Sequence, residues 1–123
     1  MKLNILLIED DIINRKLIKT MLSHHKDIIN KIYEASNGKE ALHMLEEHED
    51  INFILLDILM PIMDGREFLK IFRSQKKFSN TPVVILTTDD SKKSEILNIG
   101  ADDIIIKPVK EEELIKRIKY WIQ

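Results

Sequence analysis

Ile5-Leu-Leu-Ile-Glu-Asp-Asp11 sets four apolar residues directly before three acids. An apolar run without alternation reads as a central strand covered on both faces by helices, with the acids at its carboxyl end. The construction recurs. Asp57 follows Phe53-Ile-Leu-Leu56, Thr87 follows Val83-Val-Ile-Leu86, and Lys107-Pro108 follows Ile104-Ile-Ile106. If these runs are parallel strands, their carboxyl ends converge on one rim, which is where open parallel sheets bind ligands. Carboxylates, a hydroxyl and an ammonium would meet there, a set suited to holding a divalent cation beside a phosphoryl group.

Between the runs the hydrophobic period changes. Ile13, Leu17, Ile18, Met21 and Leu22 recur at helical spacing and predict a helix of about three turns after the first strand. Lys31 to Ala35 reads as a short strand, Asn37-Gly38 as a turn, and Glu40 to Glu47 as a helix with Ala41, Leu42 and Leu45 inward. After Phe53 to Leu56, a loop with Pro61 and Asp64-Gly65 leads to a helix from about Arg66 to Phe72. Pro82 opens the fourth strand, and Ser91 is the expected cap of a helix that carries Ile96, Leu97 and Ile99 and stops at Gly100. Ile104 to Ile106 make a fifth strand, followed by a helix from about Glu111 to Trp121 with acids in its first turn and bases in its last. Strands alternating with helices predict an α/β fold with a parallel, doubly wound sheet.

Composition narrows the function. The 123 residues are read as one domain, and 19 basic against 21 acidic side chains give a net charge of -2, so no basic field draws nucleic acid. Direct nucleic-acid contact is not expected. Without cysteine there is no disulfide framework, thiolate metal site or cysteine nucleophile, and no apolar run approaches a membrane span. These features predict a cytoplasmic protein with no membrane insertion.

Each candidate group also has a structural explanation. An acidic pair such as Glu9 and Asp10 suits a helix N-terminus, but three consecutive acids repel one another unless a cation neutralises them, and Mg²⁺ takes carboxylates, waters and phosphate oxygens. Asp57 is a lone charge between Leu56 and Ile58-Leu-Met-Pro61; beside Asp10 it becomes a candidate metal ligand and phosphoryl acceptor. Thr87 suits a strand and Lys107 a turn, yet at the ends of neighbouring strands they can stabilise phosphoryl oxygens. His24, His25, His43 and His48 lie on or beside helices among charged residues, with no nearby acid or metal-ligand spacing that suggests a catalytic or zinc role, and read as structural.

Taken in order, Glu9-Asp10, Asp57-Ile-Leu-Met-Pro-Ile-Met-Asp-Gly65, Thr87, Gly100-Ala-Asp-Asp103 and Lys107-Pro108 resemble the receiver domain of bacterial-type two-component response regulators, over the whole chain, 1–123. The resemblance implies a flavodoxin-like, CheY-like sheet of five parallel strands in order 2-1-3-4-5 with five helices. It implies that Asp57 accepts a phosphoryl group from a phosphohistidine on a histidine kinase or histidine phosphotransfer protein. Asp10, Asp57 and the main-chain carbonyl of Leu59 would bind Mg²⁺, with Glu9 acting partly through water. Thr87 and Lys107 would contact the phosphoryl group. Such a protein is a switch with no catalytic turnover beyond its own phosphorylation and slow dephosphorylation. Its output would be a downstream protein target or onward relay, as a monomer or a phosphorylation-linked dimer.

The chain departs from the family pattern at Ile104, where Tyr or Phe is usual, and at Thr88, where Ala is usual. Leu59 and Asp89 fall where the family tunes hydrolysis of the phosphoryl group. Three alternatives stand beside this reading: a haloacid-dehalogenase-like phosphatase, for which the acid expected at Leu59 is missing; a phosphorylation-independent binding module; and a receiver excised from a hybrid histidine kinase or multidomain regulator.

Overall fold

In the computed structural model, which describes residues 2–123, the elements alternate from end to end. They are β1 (Leu3–Ile8), α1 (Ile12–Ser23), β2 (Ile29–Ala35), α2 (Gly38–Glu47), β3 (Phe53–Asp57), α3 (Gly65–Arg73), β4 (Val83–Thr87), α4 (Lys93–Ile99), β5 (Asp103–Ile106) and α5 (Glu111–Trp121). Short 3-10 turns at Lys76–Phe78 and Asp90–Lys92 flank β4. The strands form one parallel sheet in the order β2-β1-β3-β4-β5.

Register explains why the rim is shared. Ile8 lies level with Leu56, Asp57 with Leu86, and Thr87 with Ile106. Glu9 and Asp57 therefore leave the sheet at the same height, Thr87 one residue beyond, and Lys107 one residue beyond that.

The unbroken apolar character of the strands follows from burial on both faces. Residues of one parity, including Leu6, Ile8, Ile54, Leu56, Ile85 and Ile104, pack against α2, α3 and α4. The other parity, including Ile5, Leu7, Leu55, Leu86 and Ile105, packs against α1 and α5. Each fully buried Leu or Ile contributes roughly 1.5–3 kcal/mol of transfer free energy, so the central strands anchor the rim rigidly.

Several helix details differ from the sequence-based expectations. In α1 the buried stripe is Ile18 and Leu22, with Met21 at its edge, whereas Ile13 is 71% exposed and Leu17 is also exposed. The helix turns the flank carrying Ile13 and Leu17 away from the sheet. Ser91 does not cap α4: Asp89 accepts a hydrogen bond from the Ser91 amide and starts the 3-10 turn, and α4 begins at Lys93 with no side-chain cap. Leu97 is exposed and only Ile96 of α4 is fully buried. Asn37, read as a turn residue, is the N-cap of α2 and accepts from the Glu40 amide at 2.8 Å, so the helix starts at Gly38.

Candidate functional site

At the end of β1 the three acids divide their work. Asp11 is the helix cap: its Oδ1 accepts from the Ile13 and Asn14 amides at 2.8 and 3.0 Å. Capping therefore accounts for Asp11 and leaves Glu9 and Asp10 without that explanation. Glu9 is 1% exposed, whereas Asp10 faces solvent. Asp57, 6% exposed, ends β3 beside them.

One carboxylate oxygen from each of Glu9, Asp10 and Asp57 lies within 4.8 Å of the others. Lys107 enters from the end of β5. Its Nζ donates to Glu9 Oε1 at 3.0 Å and stands 3.4 Å from Asp57 Oδ1. The Lys107-Pro108 peptide is cis. Burial pushes the Glu9 carboxyl above its ordinary pKa, helped by the neighbouring Asp57 carboxylate and opposed by Lys107. Burial alone would lower the Lys107 ammonium, but pairing with Glu9 and Asp57 outweighs it and raises its pKa.

The donor set fits a hard divalent cation. Three convergent carboxylates offer oxygen ligands only, one ammonium does not neutralise them, and the exposed Asp10 leaves a side open to water and phosphate oxygens. The buried Glu9 carries a charge that burial disfavours, which a cation would relieve.

Thr87 is buried at the end of β4, and its Oγ1 accepts from the Asp89 amide at 3.2 Å, leaving the hydroxyl hydrogen free to donate elsewhere. Thr88 is exposed. With Asn14, Leu17, Ile18, Met21, Lys107, Pro108 and Val109 it lines a groove of about 350 Å³ beside the carboxylates. A larger, shallow depression along α5, walled mostly by charged side chains, collects none of these groups.

Leu59 follows Asp57 into the β3-α3 loop, its side chain 70% exposed. In the same loop Ile62 adopts φ of 67°, a costly conformation for a β-branched residue, while the Gly65 amide donates to the Ile58 carbonyl at 2.8 Å and closes the loop behind Asp57. Gly65 is required there: a Cβ would lie 2.7 Å from the Asp57 carbonyl oxygen.

The structure brings Glu9, Asp10, Asp57 and Lys107 together and sets Thr87 at the same rim. It also corrects the reading of two histidines. His24 Nδ1 and His25 Nε2 lie 3.1 and 2.9 Å from the two oxygens of Glu111, an acid far away in sequence that α5 brings against the end of α1. Arg15 was not singled out for chemistry by the sequence, yet its Nη1 donates to the Glu9 carbonyl at 2.9 Å. No spacing rule flags a side chain that acts on a main-chain atom.

Comparison with known proteins agrees with this fold. The response regulator receiver domain family matches residues 5–119. A chemotaxis protein CheY homolog from Campylobacter jejuni is 31% identical over 121 residues, covering 95% of this chain and 90% of its own. The crystal structure of chemotaxis protein CheY4 from Vibrio cholerae superimposes with a TM-score of 0.88 at 31% identity over 99% of this chain and 100% of its own. The receiver domain of a Pseudomonas aeruginosa sensor histidine kinase, with a magnesium ion coordinated in its active-site cleft, gives a TM-score of 0.87 at 27% identity over 99% of this chain and 98% of its own. With the family match over most of its length and the shared sheet order, this chain belongs to the response regulator receiver domain family, the signalling switches of two-component systems.

Proposed function

We propose that this chain is a phosphorylation-activated switch whose phosphoryl acceptor is Asp57. The observation that carries the reading is the convergence of Glu9, Asp10 and Asp57 on one another with Lys107 bridging Glu9 and Asp57. A carboxylate oxygen of Asp57 attacks the phosphorus of a phosphohistidine on a histidine kinase or histidine phosphotransfer protein. The O–P bond forms as the P–N bond breaks, and the electron pair returns to the imidazole, which takes up a proton from water. Mg²⁺, held by Asp10, Asp57 and the Leu59 main-chain carbonyl, with Glu9 acting partly through water, would neutralise charge on the transferring oxygens. Lys107 stands beside the Asp57 carboxylate before transfer and pairs with the phosphoryl group after it. Thr87 supplies a hydroxyl donor at the same rim.

The switch follows from the added charge. The phosphoryl oxygens offer Thr87 and Lys107 partners that exist only in the modified state, which favours a second arrangement of the loops after β3 and β4. The groove between α1 and Pro108-Val109 abuts Lys107, where a donor protein can rest while it presents its histidine. Output is a changed surface for a downstream protein or for onward relay.

The test is intact-mass analysis after mixing with acetyl phosphate and Mg²⁺. A single phosphoryl gain, lost in Asp57→Asn and without metal, is expected. Turnover of a phosphate ester in excess over protein would instead support a phosphatase, and failure to take up either Mg²⁺ or phosphate would support a binding module.

A further inference from the structure

Glu9 and Asp10 are adjacent in sequence but held by different means. Glu9 is packed into the protein, whereas Asp10 is exposed, so the direction in which the Asp10 carboxylate leaves the chain is set by the backbone. The peptide between them controls that direction, because its plane fixes ψ of Glu9 and φ of Asp10. The preceding amide is tied down, Glu9 N donating to the Ala35 carbonyl at 3.0 Å. The following residue is tied down too, by the capping bonds of Asp11.

The Glu9 carbonyl lies just past the end of the β1 ladder. Among the described residues its protein hydrogen bond comes from Arg15 Nη1, at 2.9 Å. Arg15 is itself fixed: its Nε pairs with Glu34 Oε1 on β2 at 3.2 Å, and Glu34 Oε2 is held by Lys19 at 2.9 Å. The guanidinium thus spans from the edge of the sheet to one peptide plane, using the forked geometry that an ammonium lacks.

We infer that Arg15 is a positioning residue for the cation site: by holding the Glu9 carbonyl it orients the Glu9-Asp10 peptide so that the Asp10 carboxylate faces Asp57. This rests on the reading of Glu9, Asp10 and Asp57 as a cation site. Outer groups that orient metal ligands typically change metal affinity about 10- to 100-fold when removed, and a single bond to a carbonyl belongs at the lower end.

The sign of the effect separates positioning from charge. As a positive charge alone, Arg15 would repel the cation, and its removal would tighten binding. As a positioning residue, its removal weakens binding.

The experiment measures Mn²⁺ affinity from the free-ion electron paramagnetic resonance signal, with Mg²⁺ as competitor and metal-free thermal unfolding in parallel. Arg15→Ala is expected to bind Mn²⁺ about 10-fold more weakly than wild type, Arg15→Lys to recover part of the loss, and Lys16→Ala, an exposed change on the same helix, to match wild type. Unchanged or tighter binding by Arg15→Ala would overturn the inference and leave the cation site standing. So would a loss that Arg15→Lys does not relieve at all, or one shared by Lys16→Ala. Absence of Mn²⁺ binding by the wild type would overturn the cation reading and this inference with it.

Discussion

Replacing Lys107 with methionine keeps the apolar stem and removes the charge that faces two buried carboxylates. The ammonium lies 3.0 Å from Glu9 and 3.4 Å from Asp57. At an effective dielectric of about 20, each contact carries a gross attraction of about 5 kcal/mol, most of which the desolvation of the three groups offsets. Removing one side of a buried pair costs about 3–5 kcal/mol, and because Lys107 retains some solvent contact, a loss of about 3 kcal/mol is expected at pH 8. The pH dependence has a definite sign. Burial already raises the Glu9 carboxyl above its unfolded value, and Lys107 opposes that rise. Without the lysine the folded-state pKa climbs further. A carboxyl whose folded pKa exceeds its unfolded value favours the folded state at low pH and works against it as pH rises through the folded pKa. The loss in Lys107→Met is therefore smaller at pH 5 than at pH 8, because the folded protein relieves the repulsion by taking up a proton. Urea unfolding with a chelator at both pH values measures this, and added Mg²⁺ should restore a larger share of stability in the variant than in wild type. A loss below about 0.5 kcal/mol at pH 8, or an equal loss at both pH values, would refute the reasoning, because the pair would then resemble an exposed one.

Three further outcomes are expected. Gly65→Ala places a methyl group 2.7 Å from the Asp57 carbonyl oxygen and 2.7 Å from Ile58 Cα, both backbone atoms that cannot swing aside. It should cost about 2–3 kcal/mol in urea unfolding and slow phosphoryl uptake from acetyl phosphate, since the segment forced to shift carries Asp57. Arg73→Ala removes bonds to the Gly100 and Phe78 carbonyls and to Asp102, at 2.7–2.8 Å, that tie the end of α3 to the turn before β5 and to the 3-10 turn before β4. It should lower the urea midpoint by an amount equivalent to about 2–4 kcal/mol with an unchanged m-value, and leave Mn²⁺ affinity as it was. Leu59→Asn replaces an exposed apolar side chain beside Asp57 with one that can hold an attacking water, so the phosphorylated protein should lose its phosphoryl group faster; an unchanged half-life by mass spectrometry would count against an apolar shield at Leu59.

The fold was legible because its strongest signal is local. Four runs are apolar at consecutive positions, which only two-sided burial demands, and the polar residue closing each run is the one that reaches the rim. The meeting of Glu9, Asp10, Asp57 and Lys107 at one rim was legible for the same reason: register in a parallel sheet turns sequence position into height. What the sequence hid depends on which elements meet. Ile13 and Leu17 fit a helical stripe as well as Ile18 and Leu22 do, and only the placement of α1 on the sheet decides which pair is covered. Ser91 and Asp89 are both good caps, and the 3-10 turn chose the one two residues earlier. The pairing of Glu111 with His24 and His25 spans 87 and 86 residues, and it appears only when α5 lies against α1.

The Ile104 departure bears on how a signal leaves the site. Ile104 is 4% exposed and packs in the same cluster as Ile96 and Ala101, so this position holds no exposed ring that could turn inward. Its neighbour Asp103 is fixed by Arg117 at 2.7 Å and by the Trp121 indole at 2.9 Å. β5 is thus held at both residues. The structure offers another route through Thr87, whose Oγ1 accepts from the Asp89 amide while Asp89 Oδ1 accepts from the Ser91 amide. If the Thr87 hydroxyl turns to a phosphoryl oxygen on Asp57, the Asp89 amide loses its partner. The 3-10 turn at Asp90–Lys92 then loosens at its first bond, next to a helix that begins with no side-chain cap. Hydrogen exchange should therefore rise across residues 89–93 in the phosphorylated protein while β5 stays protected. Exchange that rises first at residues 103–106 would show that β5 carries the signal even without an aromatic residue at Ile104.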